Sequence, residues 1–162
     1  MAAEGRTMVQ ADLSDRQLSA TRVFDAPREM VFKVWTQPQH IAQWWGPRGF
    51  TTTTTSMDAR PGGQWRFVMH GPDGRDYPNL IKYVEVIPPQ RLVYQHAGEG
   101  EHDAVNFEVT VTFTDLGHQR TRLDMVMLFP SAEEKDFTIR EYGADEGLTQ
   151  TLERLREHLA SQ

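Results

Sequence analysis

The sequence predicts an α+β fold in which a curved antiparallel sheet wraps around a long C-terminal helix. The first observation is the apolar stripe of residues 143–160, where four leucines recur at steps of four, three and four, the spacing of one helix face. These are Leu148, Leu152, Leu155 and Leu159. The second is the region 50–129, where short segments alternate apolar and polar side chains as strands do. Because the apolar helix face must be covered and the strands are the available cover, we expect the sheet to enclose the helix.

Length, charge and cysteine content bound the class of protein. A chain of 162 residues fits one domain with one core. Its net charge is −6 and its lysines and arginines are scattered, which argues against binding to nucleic acid or to an anionic membrane. The absence of cysteine excludes disulfides and thiolate chemistry and fits a reducing compartment. With neither a signal-peptide pattern nor an apolar run of ~20 residues, the sequence predicts a soluble cytoplasmic protein.

The chain opens with a polar segment and a first strand. Residues 1–16 are polar and aperiodic and are expected to be flexible, whereas residues 17–162 are expected to form a single domain. The segment QLSATRVF, residues 17–24, alternates loosely between apolar and polar side chains. This alternation predicts a strand.

Two short helices follow, and a proline begins each of them. Pro27 suits the first helical position because its missing N–H group needs no partner there, and apolar residues then recur at helical spacing. Pro38 restarts a second helix, which carries Trp44 and Trp45 and is ended by a Gly-Pro pair. Neighbouring helix positions point about 100° apart, so one indole is expected to pack inward while the other borders a pocket mouth. A purely structural corner is the alternative.

The alternating region predicts about six further strands joined by turns. Residues 60–63, 71–74 and 116–119 carry turn sequences, and a Pro-Pro pair separates two of the strands. An acidic loop at residues 98–103 precedes the clearest alternation in the chain. The predicted strands are residues 50–57, 65–70, 80–87, 91–96, 105–114 and 121–129. With the first strand, the sheet is expected to have about six to seven strands.

The C-terminal part is helical. Residues 132–142 form a helical approach to the last helix. On that last helix, charged side chains occupy the positions between the leucines and are expected to face solvent. They are Glu153, Arg154, Arg156 and Glu157.

The order strand, two short helices, antiparallel strands and long helix is that of a helix-grip fold, and four sequence blocks make the resemblance specific. Residues 21–50, TRVFDAPREMVFKVWTQPQHIAQWWGPRGF, resemble the opening of the family named after the activator of heat shock protein 90 ATPase, within the START-like or SRPBCC superfamily. MDARPGGQWRFVMHGPDGRDY is similar to the second block of that family, VIPPQRLVY to its third and EGLTQTLERLREHL to its closing helix. The resemblance covers residues 18–160. The chain departs from the family pattern at Gly147-Leu148, where relatives commonly carry Gly-Trp, so the cavity end beneath the helix is expected to be reshaped.

The resemblance implies a ligand pocket between the long helix and the concave face of the sheet, typically of ~300–1,000 Å³. The parity of the strands and the helix spacing select the side chains that reach it. From the sheet these are Trp65, Phe67, Met69, Tyr83, Tyr94, His96, Phe107, Val109, Met125 and Met127; from the helix Leu148, Thr151, Leu152 and Leu155; from the mouth Trp44, Trp45 and Phe50. Each of these residue types is also ordinary core material, so close packing without a cavity is the alternative.

The chemistry that the sequence offers is limited. No nucleophile motif is present, and the six histidines show no pair at metal-ligand spacing, so neither a metal site nor a cofactor is expected. General acid–base catalysis would need His96, Tyr94 or Glu85 to reach the cavity, and strand parity leaves their orientation open.

Three functional hypotheses follow. The first is binding of a small apolar or aromatic molecule for carriage, sequestration or sensing. The second is a cofactor-independent enzyme of the cyclase, dehydratase or hydrolase type that uses the same cavity. The third, a co-chaperone that stimulates heat shock protein 90, is disfavoured because the chain lacks the additional N-terminal domain of the eukaryotic activator. Assembly as a homodimer stays open.

Overall fold

In the computed structural model, which describes residues 7–11, 16–98 and 107–162, the described residues form eight strands and four helices. The strands are β1 Met8–Ala11, β2 Gln17–Phe24, β3 Thr51–Met57, β4 Gln64–His70, β5 Asp76–Ile87, β6 Arg91–Gly98, β7 Phe107–Gly117 and β8 Arg120–Leu128. The helices are α1 Arg28–Thr36, α2 Pro38–Ile41, α3 Ala132–Tyr142 and α4 Ala144–Ala160. Residues 99–103 of the predicted acidic loop, and the start of the strand predicted at 105, lie outside the described residues.

The strands form one antiparallel sheet in the order β1-β2-β8-β7-β6-β5-β4-β3. This architecture confirms the predicted α+β helix-grip fold, with one strand more than the six to seven expected. The additional strand, β1, lies in the segment expected to be flexible and pairs with β2, Met8 opposite Thr21. A four-residue edge strand is held by backbone pairing and is too short to show alternation, which is why the pattern did not predict it.

Irregular positions bend the sheet. The register shifts between Thr54 and Ser56 in β3, between Tyr83 and Glu85 in β5, and between Asp115 and Gly117 in β7. An extra residue on one strand bends that strand and increases its twist. These shifts give the sheet its concave inner face.

Local sequence explains where the helices begin and end. Pro38 occupies the first turn of α2, as predicted, but α2 ends at Ile41, and the two following tryptophans lie in the turn after it. The Ser131 hydroxyl accepts from the Glu134 amide at 3.1 Å and caps α3. Gly143, in the left-handed conformation with φ 59°, ends α3 and begins α4.

The core lies between the inner face of the sheet and the helices. In β7 every second residue is buried from Phe107 to Phe113, as the predicted alternation requires. Leu152 and Leu155 of α4 are fully buried and Leu148 is 7% exposed, so the predicted leucine stripe faces inward. Burial of a leucine side chain contributes about 1.5–3 kcal/mol.

Aromatic rings fill much of this core. The ring of Trp45 lies 5.0 Å from that of Trp65 and 5.6 Å from that of Trp44, measured between centroids. Trp35 packs edge-on against Trp44 at 4.9 Å and against Phe113 at 5.8 Å. These rings belong to the same buried cluster as the leucines of α4. The space between α4 and the sheet therefore contains a packed aromatic core.

Two arginines attach α4 to its surroundings. The guanidinium of Arg154 donates to backbone carbonyl oxygens of residues 43–50, the segment that carries both adjacent tryptophans. Arg22 of β2 is only 3% exposed, and its Nη1 lies 2.6 Å from Glu153 Oε2 of α4. Glu157 of α4 also pairs with Arg48, with Oε2 2.7 Å from Nη2. Three of the four charged residues expected on the solvated side of α4 therefore make tertiary contacts.

No helix in the described part of the chain combines the length and the hydropathy needed to cross a membrane.

Candidate functional site

The candidate site is a cleft of about 380 Å³ at the end of the sheet where β6 finishes and β7 begins. Its volume is within the range of small-molecule sites. The described residues that line it are Arg16, Lys82, Gln95, His96, Ala97, Phe107, Glu108, Leu128, Phe129 and Pro130.

Strand register explains why these residues meet. Lys82 lies opposite Gln95, Gln95 opposite Glu108, and Glu108 opposite Leu128, so one row of the outer face crosses four strands. The adjacent row brings His96 opposite Phe107, with side chains on the inner face. The cleft thus receives side chains from both faces at the strand ends.

His96 is the central polar group of the inner row. Its Nε2 lies 3.0 Å from Asn79 Oδ1, and the Asn79 amide is oriented by its Nδ2, which donates to the Tyr77 carbonyl at 2.8 Å. Because the amide oxygen faces the ring, Nε2 carries the proton and donates, which leaves Nδ1 as an acceptor. Burial lowers the pKa of His96 to about 4, so the imidazole is neutral at neutral pH.

Aromatic rings surround the imidazole. The ring of His96 lies 5.0 Å from Phe107 and 6.1 Å from Phe67, and Phe107 lies 5.0 Å from Phe129. Trp45 is 6.5 Å away, so the rings of the cleft continue into the aromatic core. The inner wall is apolar with one neutral hydrogen-bonding group.

The three acid–base candidates are not brought together. His96 lines the cleft, whereas Tyr94 is 2% exposed in the core, where burial and then Tyr83 raise the pKa of Tyr94. Burial also raises the pKa of Tyr83. Glu85 pairs with Arg91 at 3.2 Å, and its side chain is 41% exposed. The structure therefore assembles no acid–base pair from these residues.

Most of the predicted lining residues lie in the core. His96 and Phe107 are the two that line the cleft in the part of the chain the structure describes. The buried residues are Trp44, Trp45, Trp65, Phe67, Tyr83, Tyr94, Val109, Met125, Leu148, Leu152 and Leu155. The half-buried residues are Phe50, Met69, Met127 and Thr151. Both adjacent tryptophans are buried, so neither borders an open mouth.

Sequence reasoning missed most of the cleft. Phe129 could have been found, because the alternation of the last strand places it on the inner face with Met125 and Met127. Lys82, Gln95 and Glu108 carried no such signal, since parity assigns them to the outer face and does not show that the cleft reaches around the strand ends.

A polar network on the outer face resembles a hydrolase triad in its order of groups. Thr53 Oγ1 lies 2.9 Å from His70 Nε2, and His70 Nδ1 lies 2.7 Å from Asp76 Oδ1. The His70 and Asp76 side chains are 38% and 65% exposed. Because water reaches all three groups, the network fits cross-strand stabilisation of the β3–β4–β5 edge better than catalysis.

The fold and the comparisons identify the class and then the family. An antiparallel sheet closed over a long C-terminal helix defines the chain as a START-like, or SRPBCC, domain, a fold that supports ligand binding in general. The sequence model of the family described as "Activator of Hsp90 ATPase homolog 1-like protein" matches residues 25–160. The chain belongs to this family. No curated protein gives a significant match.

Solved bacterial structures share the fold. The chain is similar to a protein from Arthrobacter aurescens with 25% identity and a TM-score of 0.88, over 96% of this chain and 92% of that one. A protein from Mycobacterium smegmatis gives 25% identity and a TM-score of 0.82, over 93% and 95% of the two chains. A protein from Rhodobacter sphaeroides gives 22% identity and a TM-score of 0.83, over 97% and 100%.

Proposed function

We propose that the protein binds a small apolar or aromatic molecule in the cleft beside His96. The observation that carries the proposal is the cleft itself, about 380 Å³ in volume, with Phe107 and Phe129 on its wall and one neutral imidazole among them. Small-molecule sites are typically apolar with a few placed polar groups. Here the aromatic inner wall supplies the apolar part, while Arg16, Lys82, Gln95 and Glu108 make the rest of the described lining polar. The cytoplasmic location expected from the cysteine-free composition is part of this proposal.

The charges at the rim define the preferred ligand further. Arg16 and Lys82 contribute cations and Glu108 contributes an anion. A ligand with a flat apolar body and a polar end can stack against the phenyl rings and place its polar end at the rim. A hydrogen-bond donor on the body can pair with Nδ1 of His96, since Nε2 is engaged with Asn79.

The structure favours binding without turnover over the enzymatic alternative. A histidine whose pKa lies at about 4 is a weak base at neutral pH. Tyr94 and Glu85 lie outside the described lining of the cleft. A carrier, sequestering protein or sensor needs none of these acid–base functions.

A ligand screen followed by a matched pair of variants tests the proposal. Thermal shift against apolar and aromatic metabolites should yield a ligand, because a ligand at about 100 times its Kd adds ~2.7 kcal/mol of stability. Phe107→Leu should then raise the Kd about tenfold, a loss of ~1.4 kcal/mol. Phe113→Leu is the control, since it makes the same change on the same strand face among buried rings remote from the cleft.

Two results would contradict the proposal. One is a ligand whose affinity falls equally in the Phe107→Leu and Phe113→Leu variants, which would place binding elsewhere in the core. The other is conversion of the bound ligand to a product at a rate that His96→Asn abolishes, which would make the protein an enzyme. An unchanged ATPase rate of heat shock protein 90 in its presence is expected.

A further inference from the structure

Two histidines from opposite ends of the chain face each other. His40 lies in α2 and His158 in the last turn of α4, separated by 118 positions, yet His40 Nδ1 is 3.1 Å from His158 Nε2. The ring centroids are 5.3 Å apart and the planes are inclined at 69°. Both residues are half-buried, so solvent reaches the pair from one side.

The separation of the two nitrogens fits coordination of one metal ion. At the usual nitrogen-to-metal distance of about 2.0–2.1 Å, two nitrogens 3.1 Å apart subtend an angle of about 95–102° at the metal. That range lies between the ~90° of adjacent ligands in square-planar or octahedral ions and the ~109° of a tetrahedron, so the distance admits either geometry. Imidazole nitrogen is a common ligand of Cu(II), Ni(II) and Zn(II).

The electrostatic surroundings also suit a cation. His158 lies near the C-terminal end of α4, where the helix dipole favours positive charge. Among residues 7–11, 16–98 and 107–162, no group of three or more candidate ligands exists, so water would complete the coordination sphere.

The two helices are held in place independently of the pair. Arg154, one turn before His158, donates to the carbonyl of Gln43, which follows α2 by two residues, at 3.2 Å. A contact this close fixes the spacing of α2 and α4 before any metal arrives. Pre-organisation of this kind lowers the entropic cost of binding.

We propose that His40 and His158 form a two-imidazole site for a divalent late transition metal, with Cu(II) bound most tightly, which joins α2 to α4. The site is separate from the cleft beside His96. In the absence of metal, the N–H group of one imidazole donates a hydrogen bond to the ring nitrogen of the other, and metal binding replaces that hydrogen bond. The order of affinities should follow the general series for nitrogen ligands, with Cu(II) above Ni(II) and Zn(II).

The test uses the full chain without an affinity tag, stripped of metal with a chelator and titrated with Cu(II). The electron paramagnetic resonance spectrum should show hyperfine splitting from two nitrogens. His40→Asn and His158→Asn should each raise the Kd at least about tenfold, because each removes one of two ligands. His70→Asn and His118→Asn are controls that should leave the Kd unchanged; asparagine also tolerates the positive φ of 54° at His118.

A second measurement needs no variant and covers the case in which one of them fails to fold. Cu(II) or Ni(II) should protect His40 and His158, and not His118, from diethylpyrocarbonate, with the modified sites identified by mass spectrometry. Equal modification of His40 and His158 with and without metal would overturn the proposal. So would Cu(II) binding that survives the double His40→Asn/His158→Asn variant or is lost in His70→Asn.

Discussion

Replacing Arg154 by methionine tests whether one side chain of α4 holds the turn that carries Trp44 and Trp45. Arg154 Nη1 lies 2.9 Å from the carbonyl oxygen of Gly46, 3.2 Å from that of Phe50, 3.3 Å from that of Pro47 and 3.4 Å from that of Trp45. Nη2 lies 3.2 Å from the carbonyl oxygen of Gln43. Methionine preserves the apolar stem and removes every one of these donors.

The expected loss follows from the number of protons available. Nη1 has two hydrogens, so its four acceptors share two effective hydrogen bonds, and Nη2 adds a third. Hydrogen bonds from a charged donor contribute about 1.5–3 kcal/mol each, but burial also lowers the pKa of Arg154, which shows that desolvation of its charge offsets part of this gain. We therefore take about 1 kcal/mol for each bond and expect Arg154→Met to lower the free energy of unfolding by about 3 kcal/mol.

Urea unfolding followed by tryptophan fluorescence measures this change. With an m value of about 2 kcal/mol per molar urea, the midpoint should fall by about 1.5 M. Arg154→Lys should give an intermediate loss, because an ammonium group reaches fewer of the carbonyls. Arg156→Met is the matched control on the same helix: its side chain is 47% exposed and pairs with Glu153 at 2.7 Å, so its loss should stay below about 1 kcal/mol. A loss for Arg154→Met no larger than that of the control would refute the reasoning.

Three further predictions concern buried polar groups. Glu153→Gln leaves Arg22, which is 3% exposed, without its charged partner, so the free energy of unfolding measured in urea should fall by about 2–3 kcal/mol. Arg22→Met removes the buried charge as well and should cost less. The reverse order of the two losses would contradict this reasoning. Trp44→Phe removes the hydrogen bond from Nε1 to the Val34 carbonyl at 3.0 Å and leaves a gap in a fully buried position. The melting temperature should therefore fall by the equivalent of about 2–4 kcal/mol of stability. An unchanged melting temperature would be inconsistent with that bond. Burial holds the pKa of His96 at about 4, below its ordinary 6.5, so the unfolded chain binds the proton more readily between these values and stability is lost as the pH falls through them. The full pKa shift corresponds to about 3.4 kcal/mol of stability, which we reduce to about 1–2 kcal/mol because the ring is half-buried. Between about pH 7 and pH 4 the wild type should lose that much more free energy of unfolding than His96→Asn. Parallel pH profiles of the two proteins would exclude the effect.

Short-range patterns in the sequence predict the elements well. The alternation of Phe107, Val109, Val111 and Phe113 predicts both a strand and its buried face, and the leucine spacing of the last helix does the same for α4. Such patterns work because an apolar side chain needs only to face the core, and the spacing along the chain decides that without any information about distant residues. Strand β1 was missed because its pairing depends on backbone groups that every sequence shares.

The site was harder to predict because it depends on distant pairings. The cleft arises where one row of the outer face and one row of the inner face end together, and that coincidence follows from register across four strands. Parity within one strand contains no register information. The contact between His40 and His158 spans 118 positions and has no local signal in either segment.

The polar residues of α4 show why a helical wheel misjudges a helix of this kind. Their positions lie outside the leucine stripe, which predicts contact with water, yet Glu153 meets the buried Arg22, Arg154 meets the turn after α2, and His158 meets His40. A wheel assumes that one flat surface covers the helix. Here the curved sheet, the turn and α2 surround it on several sides, so polar side chains at the border of the stripe reach backbone carbonyls and charges instead of solvent. The border residues therefore decide how α4 is positioned, while the leucines decide that it is buried.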